Sequence, residues 1–194
     1  MRLLAACTIG FALAVTSTLA APQTAPAQKA SDNPITASMR VHYEMNKVYF
    51  TKSAEMMPEK DYTFHPATMP SPDKKEIRTF GQMIGHVASE QYLYCAVASG
   101  VQPPAGTPTI EATKTTKAEL QKALADSFTY CDRVWASTTD LNASTANEMP
   151  FGMGRSTRLG ALVFNTTHVS EHYGNLATYL RAKGMVPPSS QPSK

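Results

Sequence analysis

Leu162-Val163-Phe164-Asn165-Thr166-Thr167-His168-Val169-Ser170-Glu171-His172-Tyr173-Gly174-Asn175-Leu176 is the stretch from which the fold is read. Leu162, Val169 and Leu176, continued by Leu180, recur at helical intervals and form an apolar stripe. The pattern extends from Ser156 to Lys183, where Gly184 supplies a C-terminal stop and Pro187-Pro188 bars further helix. His168 and His172 lie four residues apart, so their rings sit about 40° apart on one face, one turn above the other. Phe164, Asn165, Asn175 and Tyr179 share that side most closely, which places the two imidazoles at the border of the core.

Three more stretches carry the same period. Asp32-Asn33-Pro34 predicts a helix start, and the helix runs to about Met57 with Met39, Tyr43, Val48 and Tyr49 among its apolar positions, until Pro58 stops it. Ser71-Pro72-Asp73 predicts a second start, with Lys74 to Ser99 helical and Gly100 at the end. Thr116-Lys117-Ala118-Glu119 has capping-box spacing and opens a third helix ending near Ser137. The links, including 101–115 and 138–154, are polar and punctuated by Gly and Pro. Alternating β-branched runs are few, so strands are not expected. These signals predict an all-α four-helix bundle.

His86 is the third histidine of interest. It lies on the stripe Thr79, Met83, Glu90, Leu93 and Val97 of the second helix. Facing His168 and His172, it would complete a three-nitrogen site for a divalent ion, with a water in the fourth position. Zinc or nickel suits such a site best, and iron or manganese is allowed by ligand type. Val169 after His168 departs from the His-Glu-x-x-His signature of metalloproteases. Glu90, one turn from His86, is the candidate proton carrier, with an ordinary half-buried ion pair as the alternative. His42 and His65 read as surface or structural residues.

The chain of 194 residues is 42% hydrophobic with a net charge of +3, which suits one globular domain and gives no electrostatic footprint for nucleic acid. Met1-Arg2, the apolar run from Leu3 to Leu19 and Thr18-Leu19-Ala20 read as a secretory signal peptide, residues 1–20, cleaved after Ala20. The alternative is an uncleaved anchor; after cleavage no stable membrane span is expected. Residues 21–31, rich in Ala, Pro and Gln, read as a flexible tether, which leaves 32–190 for the bundle. The expected location is secreted or periplasmic. Cleavage removes Cys7 and leaves Cys95 and Cys131, an even pair that is expected to be bridged in an oxidising compartment. Two separate buried thiols are the competing reading.

Three blocks of sequence carry a family resemblance. They are Glu55-Met56-Met57-Pro58-Glu59-Lys60-Asp61-Tyr62-Thr63-Phe64, then Arg78-Thr79-Phe80-Gly81-Gln82-Met83-Ile84-Gly85-His86-Val87-Ala88, and Glu171-His172-Tyr173-Gly174-Asn175-Leu176 followed by Tyr179-Leu180-Arg181 and Val186-Pro187-Pro188. Together they resemble the DinB-like superfamily of metalloenzymes over about residues 34–190. The resemblance implies an up-down-down-up bundle with a metal held by three histidines, which match His86, His168 and His172. Characterised members use mycothiol or bacillithiol in isomerisation and S-transfer, and relatives often pair as homodimers. Those thiols are cytoplasmic, which fits poorly with an exported chain.

These readings give three functions to separate. The first is a metal-dependent enzyme, a hydrolase or thiol-dependent transferase acting on a small molecule. The second is a non-catalytic metal- or small-ligand-binding module of the cell envelope. The third is a structural bundle with a vestigial site.

Overall fold

A computed structural model describes residues 32–66 and 77–192. The segments assigned above to the signal peptide and tether, and the second helix start at Ser71-Pro72-Asp73, lie outside the described residues. Four long helices are present: α1 (Pro34–Met56), α2 (Phe80–Ser99), α4 (Lys117–Ala136) and α5 (Arg158–Ala182). A single turn, α3 (Ile110–Thr113), interrupts the connector before α4. No helix among the described residues is long and apolar enough to cross a membrane.

Each long helix begins where a side chain satisfies its free amides. Thr79 and Gln82 form a reciprocal capping box for α2, and Thr116 and Glu119 form one for α4. Helix α2 therefore starts at Phe80, with Ile77 to Thr79 non-helical, instead of continuing from Lys74. Thr157 caps α5, one residue beyond the expected Ser156. Helix α1 is capped from afar: Asp140, in the loop after α4, accepts from the amides of Ile35 (3.0 Å) and Thr36 (2.8 Å). The Asp140 amide donates to Asn33 Oδ1 at 2.9 Å, so the two chain segments cap each other. Gly100 ends α2 with φ 71°, a left-handed turn that favours glycine.

The directions of the helices follow from paired contacts. Lys117 at the start of α4 donates to the carbonyls of Glu55 and Met57 at the end of α1, while Asp140 sits at the other end, so these helices are antiparallel. Asn46 of α1 donates to Thr166 O and Ser170 Oγ, and Tyr49 stacks on Tyr173, which makes α1 and α5 parallel. Helices α2 and α4 run together, joined by a disulfide between Cys95 and Cys131 with a Cα–Cα distance of 5.4 Å. The result is an up-down-down-up bundle in which α2 lies between α4 and α5.

The centre is filled by Tyr43, Phe50, Phe80, Leu124, Phe128, Trp135, Leu162, Leu176 and Leu180, all but sealed from solvent. One apolar residue of α1 faces outward, and one element departs from the all-helical expectation. Val48 is 46% exposed, because the inward face of α1 follows Tyr43, Phe50, Ala54 and Met57 instead. A small antiparallel hairpin, β1 (Ala146–Glu148) and β2 (Arg155–Thr157), occupies the link before α5. Its strands are three residues long, too short to show a period-two pattern.

Replacing Asp140 with Ala should lower the urea midpoint and speed amide exchange at Ile35 and Thr36. Unchanged exchange at both amides would rule out the remote cap.

Candidate metal centre

His86 comes from α2 and His168 and His172 from α5, and the antiparallel packing of these helices brings all three together. His172 Nε2 lies 3.1 Å from His86 Nε2 and 2.9 Å from His168 Nε2. The rings stand nearly perpendicular to one another, with interplanar angles of 76–86°. Three imidazole edges thus converge on one point instead of stacking. An ion with nitrogen ligands at about 2.0–2.1 Å in a tetrahedral arrangement separates them by about 3.4 Å, so a small outward relaxation seats it. His42 and His65 are exposed and stand apart from this group.

The surroundings favour the ligand form of each ring. Burial, with the charges of Arg78 and His168 nearby, lowers His86 to about 4. Burial, with His168 and His86 beside it, lowers His172 to about 3, and burial also lowers His168. At neutral pH all three rings are uncharged and hold a lone pair. The Nδ1 atoms of His168 and His172 are buried and have no hydrogen-bond partner among the described residues. A divalent cation meets the chemistry of this donor set.

Around the histidines stand an acid and two aromatic rings. The Tyr94 ring lies 5.9 Å from His168, and Phe164 stacks on His168 at 6.2 Å. Burial raises the Glu90 carboxyl, although the hydrogen bond from Tyr94 opposes the shift. Of the residues expected on the histidine side of α5, Asn165 and Tyr179 are buried, whereas Phe164 and Asn175 are exposed. The carboxylate against His86 is that of Glu111, whose Oε2 lies 3.3 Å from His86 Nδ1. Sequence periodicity gave no sign of it, because Glu111 sits on the single turn α3 within a proline-rich connector.

Residues 42–176 match the DinB superfamily. The chain belongs to the DinB superfamily. Among solved structures with a matching fold is a mycothiol-dependent maleylpyruvate isomerase, crystallised as a histidine-to-alanine mutant. It aligns at a TM-score of 0.58 with 13% identity, over 73% of this chain and 60% of that protein. The chain therefore spans less than two thirds of that neighbour, and at this identity the likeness is one of fold. No curated protein matches the sequence. Membership of the DinB superfamily and the clustered histidines together give this bundle the form of a metal-binding enzyme.

The neutral rings also set a pH dependence. Below the ordinary imidazole pKa of 6.5 the unfolded chain takes up protons that folded His86 and His172 refuse. Stability of the metal-free protein should thus fall as pH drops from 6.5 toward their lowered values, and less steeply in His172→Leu. Equal urea-midpoint losses in the two proteins between about pH 7 and about pH 4.5 would contradict this assignment.

Proposed function

We propose that this chain is an exported metal-dependent enzyme of the DinB superfamily, with one divalent ion held by His86, His168 and His172. The observation that supports the reading is the convergence of three imidazole nitrogens with no fourth His, Cys, Asp or Glu ligand in the group among the described residues. A fourth coordination position is thereby left for water or a substrate atom. When bound, zinc or nickel would lower the pKa of a water or thiol coordinated to it and so supply a nucleophile near neutral pH.

The protein's own residues divide the remaining work. The three imidazoles orient the ion. Phe164 and Tyr94 wall one side of the site and restrict water there. Glu90, whose carboxyl is raised by burial, stands one turn from His86 as the group that passes a proton to a leaving group. The substrate is a small molecule, and the reaction is hydrolysis or thiol-dependent transfer. Thiol chemistry in the neighbouring isomerase supports transfer. The secretory pattern of residues 1–20 favours hydrolysis, since it takes the chain away from cytoplasmic thiols.

Elemental analysis of the mature, tag-free protein should find about one divalent ion per chain. His86→Ala and His168→Ala should each lose it. No ion in the wild type, after reconstitution with zinc, nickel and manganese, would end the enzyme reading. Intact mass of the exported protein should begin at Ala21, and a retained N-terminus would replace the signal peptide with an anchor.

A further inference from the structure

We propose that Glu111 is the positioning residue of the metal centre, holding His86 in the tautomer and orientation that bind the ion. The inference rests on the three-histidine reading above. It assigns a role to the connector 101–115, which otherwise only links two helices.

Helix α2 is shaped to receive this connector at the residue before His86. A Cβ on Gly85 would stand 2.9 Å from Glu111 Cα, closer than real Cβ atoms come to backbone, and a tight 3.3 Å from Glu111 N. Only glycine lets α3 lie this near. The turn is fixed on the N-terminal side of Glu111. Ile110 packs with Ala88 and Tyr92 in a small apolar cluster, and Ser89 Oγ donates to the Thr107 carbonyl at 2.9 Å.

The Glu111 carboxylate is in turn held between two partners. Oε1 accepts from Arg78 Nε at 2.7 Å, and Oε2 faces His86 Nδ1 at 3.3 Å. Arg78 is tied to the helix of the other two histidines, since its carbonyl accepts from the Tyr179 hydroxyl at 2.8 Å. A chain of contacts thus runs from α5 through Arg78 and Glu111 to the back of the His86 ring.

The chemistry requires such a group. An imidazole that binds a cation through Nε2 carries its proton on Nδ1. A carboxylate at Nδ1 selects that tautomer, fixes the ring plane and makes the ligand nitrogen more basic. His168 and His172 have no partner at Nδ1 among the described residues, so the orienting contact is made at His86 alone.

The test measures zinc affinity of the mature protein by competition with a chromophoric chelator, together with the visible spectrum of the cobalt-loaded protein. Glu111→Ala should lose about 10- to 100-fold in zinc affinity and shift the cobalt bands. Glu111→Gln, which keeps an acceptor without the charge, should lose less and keep the metal-free melting temperature of the wild type. Gly85→Ala should weaken zinc binding with the carboxylate intact, because it pushes α3 off α2. Should the Ala variant fail to fold, the Gln variant decides. Wild-type zinc affinity and cobalt spectrum in folded Glu111→Gln and Gly85→Ala would overturn the inference and leave the three-histidine reading standing. A wild type that binds no zinc would overturn that reading, and this one with it.

Discussion

The hydrogen bond from Asn165 of α5 to the Gln91 side chain of α2 is buried within about a turn and a half of the histidines. Both amides are fully enclosed, and each leaves its other polar atom without a partner, so neither can give up the bond cheaply. A slip of α2 against α5 by one residue would separate them. The same slip would carry His86 away from His168 and His172. One polar pair in an apolar interface therefore sets the register on which the histidine cluster depends. The Cys95–Cys131 disulfide lies against it and fastens α2 to α4 on the opposite side.

The site is rigid on its helices and adjustable at its edge. His168 and His172 stand on consecutive turns of one long helix, so their spacing is a property of the α-helix itself. His86 depends instead on how α2 is seated, and its ring on what lies behind it. The groups behind it, Glu111 and Arg78, come from the connector and from the approach to α2. Burial keeps all three rings neutral and Glu90 inclined to hold its proton. Low local dielectric thus does two tasks with opposite charge types.

Much of this was readable in the chain. The four long helices, the box at Thr116 and Glu119, the glycine stop at Gly100 and the placing of His168 and His172 on one face all follow from local spacing. Errors fell where local signals compete or are too short. Ile77 and Arg78 read as part of the second helix, yet the box at Thr79 and Gln82 starts α2 after them. Val48 is apolar, but α1 turns another face inward. The hairpin at 146–157 is shorter than any window in which a strand period can be seen.

By itself the sequence determined helix positions and the pairing of His168 with His172, because those follow from dihedral preferences and a 3.6-residue repeat. Tertiary structure alone decided which carboxylate meets His86. Glu90 is one turn away along the same helix, whereas Glu111 is 25 residues on and reaches His86 only because Gly85 lets a second backbone lie against α2. It likewise decided that Asp140 would cap α1 across more than a hundred residues. Contacts between distant segments depend on how surfaces close on one another, and no local period encodes that.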